Sequence, residues 1–195
     1  SDNKLGLAVG YLDYLGTDNY SAKELRKEFY KLGIDYYVST QAEQTYVGLS
    51  GLKDNLSEGL ELLEHLWDSS VADQESYNNY VAAIAKERQN NKTSKGRILR
   101  SGLLNYAIYG ENSRLRNVIP VSELKAINPK DLVKIVKDLK NYKQRLFYYG
   151  KDVKSAITAI DQFHSTPAKL IDYPEPINYI EKETGGNVYY VDYDM

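Results

Sequence analysis

From Leu5 to Leu15 the apolar residues Leu5, Ala8, Val9, Leu12 and Leu15 recur every three or four positions, the spacing of a helix that buries one face. Ser1, Asp2 or Asn3 is available to cap its start, and Gly16 to end it. A second helix follows in "YSAKELRKEFYKLG": Ser21 stands as N-cap with Glu24 three residues on, Leu25, Phe29 and Leu32 share a face, and Gly33 stops the pattern. "IDYYVSTQAEQTYVGLSG" predicts a hairpin, with Tyr37, Val38, Tyr46, Val47 and Leu49 as strand formers around a polar "TQAEQ" turn. Helical patterns return in "LKDNLSEGLELLEHLWD", capped by Asp54 or Asn55, in "ADQESYNNYVAAIAKERQNN", and in "SKGRILRSGLLNYAIYG" up to Gly110. "ENSRLRNVIP" reads as a loop. "NPKDLVKIVKDLKN" carries Asn128 as cap and Pro129 at the first helical position. "QRLFYYG" reads as a strand and "KDVKSAITAIDQFH" as a last helix. From Thr166 the period is lost and three of the five prolines accumulate, so 166–186 reads as an extended linker, and 187–195, "NVYYVDYDM", as the start of another strand. There is no internal repeat.

One turn of the fourth segment asks a chemical question. Glu61-Leu62-Leu63-Glu64-His65 reproduces the inverted zinc-peptidase pattern H-x-x-E-H with Glu in place of the first His. At 100° per residue Leu56, Leu60, Leu63 and Trp67 form the buried stripe, which leaves Glu61 and His65 on the far side with Glu58 and Asp68. A zinc ion needs three or four convergent ligands in a supported pocket. A Glu and a His on a solvated acidic face supply two, so the segment predicts a polar helix surface and no metal site. The same exposure argues against Glu58, Glu61, Glu64 and Asp68 as hydrolytic carboxylates, which need one acid held in a desolvated pocket.

Composition narrows the field further. The net charge of −2 offers no basic excess to neutralise phosphates, which argues against a nucleic-acid partner. No apolar run approaches the roughly 20 residues of a membrane span, so no membrane insertion is expected. Without Cys there is no disulfide or thiolate chemistry, and His65 and His164 are the only imidazoles for metal or base roles. The 19 Tyr residues, several of them paired, suit strands first, with a tyrosine surface for sugars or peptides as the alternative. Ser113 with Arg114 and Arg116 could hold a carboxylate or phosphate, but a Ser without a His base is no nucleophile, and a loop packed at a domain boundary is the simpler role. "SKGRILR" reads as a solvated basic helix face.

The succession of helix, "LGT", capped helix, "LG", hairpin, "LSGLKDNLSEGLELL", long helix, "YGENSRLRN" and "LFYYG" resembles the insulinase and pitrilysin type of zinc metallopeptidase over residues 4 to 165. The resemblance implies a two-layer α/β (α+β) domain, with helices on one face of an antiparallel or mixed sheet, of the metallopeptidase (LuxS/MPP-like) type. It implies a 1–165 metallopeptidase-like domain, the 166–186 linker and the beginning of a following domain at 187–195. The family's zinc motif lies on the first helix, where this chain has Leu7-Ala8-Val9-Gly10-Tyr11, and its third ligand resembles Glu87. No residue of that first-helix set binds zinc, so the chain resembles a non-catalytic copy, with no cofactor of its own and zinc in a catalytic domain of the parent. In the family's last domain an Arg and a Tyr seven residues apart reach the scissile region. Tyr46 resembles that Tyr, Ser39 stands where the Arg belongs, and Tyr46 alone remains as a substrate-binding donor beside its plain role as a strand residue packed on a helix.

The implied partners are other domains of the same parent chain and a peptide substrate. By the same resemblance the setting is a bacterial periplasm or envelope, with the cytoplasm as the alternative. Two rival functions remain open from the sequence: an assembly module of a larger complex, and a stand-alone tyrosine-rich domain that binds glycans or peptides.

Overall fold

A computed structural model describes residues 3–41, 44–172, 175, 177–182 and 185–193. In chain order the elements are α1 (Asn3–Tyr11), a 3-10 turn (Leu12–Tyr14), β1 (Gly16–Thr17), α2 (Ala22–Lys31), β2 (Ile34–Gln41), β3 (Gln44–Gly51), α3 (Leu56–Ser69), β4 (Ser70–Val71) and α4 (Gln74–Thr93). There follow α5 (Lys95–Arg97), a π-helical stretch (Ile98–Leu103), α6 (Leu104–Tyr109), α7 (Val121–Ala126), α8 (Pro129–Asp138), a 3-10 turn (Leu139–Asn141) and α9 (Val153–Phe163). The class is α+β, with two small antiparallel sheets, β1 with β4 and β2 with β3. No helix among the described residues is long and apolar enough to cross a membrane.

The chain divides into two compact units, residues 2–77 with 128–175, and residues 78–127 with 176–195. In the first, α1 lies in the core: Ala8, Val9 and Tyr11 are buried, and the helix packs on α8 and β2. The Tyr11 hydroxyl donates to the Asp73 carbonyl at 2.7 Å, which lets a phenol sit fully buried without an orphaned O–H. The capping box at Ser21 and Glu24 forms as expected and starts α2, and Gly33 turns out of it at φ +61. The hairpin alternates. Ile34, Tyr36, Val47 and Leu49 face Phe29 and Leu63, whereas Asp35, Tyr37, Ser39 and Tyr46 are exposed. Burial pushes the Tyr36 phenol well above its ordinary value, and the Asp13 carboxylate beside it adds to the shift.

In the second unit residues 177–182 and 185–193 pass alongside α6. The Lys182 amide donates to the Ile108 carbonyl at 2.6 Å, and Tyr106 meets Tyr189 edge-on with ring centroids 6.0 Å apart. Tyr193 donates its hydroxyl to the Thr93 carbonyl, and Arg88 donates to the Ile119 carbonyl, each over 2.7–2.8 Å.

Several sequence expectations need correction. Gly16 opens β1 and does not end a helix in the left-handed region; a Cβ there would run into the Tyr20 carbonyl at 2.6 Å. Asn55 stands at the N-cap of α3, but its side chain makes no capping bond: its amide donates to the Leu32 carbonyl at 2.7 Å. "QRLFYYG" joins no ladder, and Phe147 and Tyr149 are more than nine-tenths exposed, because β propensity without a neighbouring strand leaves the backbone unpaired. Asn187–Tyr193 likewise joins no ladder. The centre of the "TQAEQ" turn, Pro174 and Pro176 of the linker, the Ser1 and Asp2 caps, and Asp194 and Met195 lie outside the described residues.

Gly59 is where α3 meets the hairpin: a methyl on its Cα would overlap Ile34 Cδ1 in the core. Gly59→Ala is expected to lower stability by about 1–3 kcal/mol through overpacking, against a gain of about 1 kcal/mol in helix propensity. Urea unfolding measures this, and a raised midpoint would show that the hairpin is not seated there.

Candidate functional site

The "ELLEH" turn lies on α3, and the structure separates its residues. Glu61 is exposed, as expected. His65 is not turned to water. It is half-buried, its Nε2 lies 2.9 Å from Thr17 Oγ1, and Tyr20 meets its ring edge-on at 5.8 Å. The reason is β1, which pairs with β4 directly after α3 and so lays Thr17 over the helix's last turns. Glu64 also departs from the solvated-face expectation, since only 6 % of it is exposed. The buried side of α3 is formed by Gly59, Leu63, Glu64, Leu66 and Trp67, with Leu56 and Leu60 only partly covered.

Around Glu64 the first unit assembles a polar cluster from three elements. Asn128 accepts from the Lys130 amide and Pro129 opens the helix, so α8 starts as the sequence predicts and ends in the 3-10 turn that carries Lys140. Asp152 caps α9, whose far end delivers His164. Lys140 Nζ is 2.5 Å from Glu64 Oε2 and 2.7 Å from Asp68 Oδ1, and its charge sits 5.8 Å from the centre of the Trp67 ring. His164 Nδ1 is 2.6 Å from Glu64 Oε1. The Trp67 indole N–H donates to the Val136 carbonyl at 2.7 Å and fixes the floor of the cluster. Because the carboxylate can only accept, Nδ1 carries the proton in this pair. The buried Nε2 meets no hydrogen-bond partner among the described residues.

Burial alone would raise the Glu64 carboxyl. Hydrogen bonds from His164 and Lys140, with the Lys140 charge, more than offset it and hold the group below its ordinary 4.5. The arrangement therefore keeps an anion ionised in a dry place. Sequence reasoning missed it because its partners are remote: His164 lies 100 residues along the chain. The one available signal was that a chain with two imidazoles places one at the end of an amphipathic helix.

The hairpin holds the second candidate. Tyr46 is directly opposite Ser39 in the β2–β3 register and 45 % exposed, so it projects from the face away from the helices and is not packed on one. Its hydroxyl donates to the Gln44 side-chain carbonyl. Neither strand contains Lys or Arg, so no cation on the hairpin stands in for the one missing at Ser39.

On α1 the positions that resemble the zinc motif hold Leu7, Ala8, Val9 and Tyr11, all buried. These residues do not fit a zinc ion. Glu87 is exposed on α4, and among the described residues no three His, Asp or Glu side chains come together as metal ligands. Ser113 is buried and its Oγ accepts from the Leu115 amide, while Arg116 pairs with Glu111. The two imidazoles are engaged with Thr17 and Glu64, so Ser113 has no base beside it.

No family model and no curated protein matches the sequence. Solved structures do match the fold. The ferredoxin protease FusC, determined in complex with Arabidopsis ferredoxin, is 15% identical with a TM-score of 0.68, over 92% of this chain and 20% of that one. The periplasmic protease PqqL of Escherichia coli is 16% identical with a TM-score of 0.63, over 93% of this chain and 21% of that one. A protease of Helicobacter pylori is 17% identical with a TM-score of 0.60, over 93% of this chain and 44% of that one. All are zinc peptidases of the insulinase and pitrilysin type, and the likeness is one of fold. The chain spans about a fifth of the FusC and PqqL chains and under half of the Helicobacter one.

Two measurements test the cluster. Lys140→Met leaves two carboxylates without their buried cation and is expected to cost about 3–5 kcal/mol in urea unfolding; a loss below about 1 kcal/mol would mean that water reaches the site. Since Glu64 titrates lower in the fold than when unfolded, its contribution is present above about pH 4.5 and is lost as the pH falls towards the folded value. The stability difference between the protein and Glu64→Gln should therefore shrink from neutral pH to about pH 3. A constant difference would contradict the ionised assignment.

Proposed function

We propose that this chain is a non-catalytic α+β domain of a multidomain zinc peptidase, which walls the peptide chamber and packs against a catalytic domain elsewhere in the parent chain. The observation that carries the reading is α1. In a fold shared with insulinase- and pitrilysin-type proteases, the helix that resembles the zinc-bearing one is filled with buried Leu7, Ala8, Val9 and Tyr11. Coverage supports it as well: the chain matches 20–21% of FusC and PqqL and 41% of the first half of PqqL, the share of one unit among several similar ones. Its partners on this reading are the parent's other domains and a peptide substrate. FusC was solved with a protein bound and PqqL is periplasmic, which favours a polypeptide substrate and a periplasmic setting here.

In this role Tyr46 presents a phenol from the outward hairpin face, where it gives up its bond to Gln44 to donate to a substrate carbonyl. Ser39 opposite it carries no charge, so the hairpin positions a peptide and does not stabilise a developing oxyanion. Hydrolysis, with a metal-activated water and a Glu base, belongs to another domain.

Two results are expected. The purified chain retains zinc well below one equivalent after desalting and does not cleave peptides; stoichiometric zinc with chelator-sensitive hydrolysis would overturn the reading. In the intact parent, Tyr46→Phe lowers kcat/KM for a peptide by roughly threefold to tenfold, the worth of one hydrogen bond, with zinc content unchanged. An unaltered kcat/KM would remove Tyr46 from the substrate path.

A further inference from the structure

The second unit contains a helical run that the segments 177–182 and 185–193 of the same unit cover only in part. Across α5, the π-helical stretch and α6, fifteen consecutive residues from Lys95 to Tyr109, not one side chain is buried. Leu99, Leu104 and Tyr106 are 53%, 52% and 45% exposed. Helices of this length owe most of their stability to a packed apolar face, so a run whose Leu99 and Leu104 stay half exposed has apolar surface left for a partner.

Its charge is as one-sided as its exposure. From Arg88 to Tyr109 there are five cations and no Asp or Glu, in a chain of net charge −2, so the remaining residues carry −7. Lys92, Lys95, Arg97 and Arg100 are exposed and form no ion pair among the described residues.

Two glycines lie within the same run. A Cβ at Gly96 or Gly102 would meet nothing within 4 Å, so neither glycine is required by packing within the chain. Glycine inside a helix costs stability relative to alanine. A gap in a side-chain surface is useful where another backbone must come close. The hydrogen-bond shift of the π-helical stretch at Ile98–Leu103 is itself rare and concentrates at functional positions.

We propose that Lys92, at the end of α4, and the run from Lys95 to Leu104 form a docking surface for an acidic polypeptide segment that also carries apolar side chains. The cations select the acidic groups, Leu99 and Leu104 receive the apolar ones, and the open positions at Gly96 and Gly102 admit the partner's backbone. A polypeptide fits better than an anionic membrane, because a lipid headgroup has no need of backbone gaps. The inference does not rest on the chamber-wall reading, whose residue Tyr46 belongs to the other unit.

The test uses the whole chain and a short fluorescein-labelled peptide alternating Glu with Leu, followed by anisotropy across about 50 to 200 mM salt. Binding should weaken with salt and fall at least about tenfold in Lys92→Gln/Lys95→Gln/Arg97→Gln/Arg100→Gln and in Gly96→Leu/Gly102→Leu. Helical circular dichroism should be retained in both. A control, Lys23→Gln/Lys27→Gln on α2, should bind as before. Loss in Tyr46→Phe alone would mean that the peptide sits on the hairpin. Equal loss in the α2 control would mean diffuse charge attraction. Binding to phosphatidylserine vesicles without binding to the peptide, or self-association in sedimentation abolished by the same four substitutions, would replace the proposed partner by a lipid surface or a second copy. Each of these outcomes overturns the proposal, as does undiminished binding in the two docking-surface variants.

Discussion

The carboxylate of Glu64 has to be satisfied where it stands, and the packing of the first unit follows from how that is done. Taking one ion out of water costs several kcal/mol, so a buried carboxylate is tolerated only if directed donors reach it. Here one oxygen is met by Lys140 from the turn after α8, and the other by His164 from the end of α9. Three segments that are far apart in sequence are thereby held in one register. An apolar residue at position 64 would accept many approaches of α9; a carboxylate with two donors accepts few. Lys140 in turn needs Asp68, one helical turn beyond Glu64, and the Trp67 ring between them, so one face of α3 positions the cation twice over.

How much of this was legible in the sequence depends on the range of the interaction. Local chemistry was: Ser21 with Glu24, Gly33 after α2, and Asn128 with Pro129 act on neighbours a few residues away, and each appears where the pattern puts it. Ala8, Val9, Leu12 and Leu15 were legible too, since 3.6-residue periodicity reports burial directly, whereas the buried Leu7 and Tyr11 lay outside that stripe. Glu64 and His65 were not. The helical wheel ranks residues by their own polarity, whereas their burial is decided by Thr17 and His164, 48 and 100 residues away. A wheel built on Leu56, Leu60, Leu63 and Trp67 could not know that a strand and a second helix would cover the polar flank.

The segments expected as strands fail for a related reason. "QRLFYYG" has the composition of a strand, but pairing is a property of two segments. Only its approach is engaged: Tyr142 bridges Ile171, and the Lys143 amide donates to the Ile171 carbonyl at 2.9 Å. The hairpin succeeds because its partner is adjacent in sequence, with every residue from Ile34 to Gln41 matched to one from Gln44 to Gly51.

The first helix joins stability to function. Leu7 and Tyr11 lie four residues apart on α1, one above the other, and both are buried. Imidazoles at those positions would bring buried ring nitrogens into the core of the unit, and each would need a metal or a hydrogen-bond partner to be tolerated. Tyr11 meets that requirement with one bond to the Asp73 carbonyl and an edge-on contact with Tyr77, at 5.3 Å between ring centres. The core of the first unit is thus completed by side chains at the positions that resemble the family's zinc motif. Imidazoles there would displace the contacts that hold α1 in place, so on the proposed reading this helix serves the core.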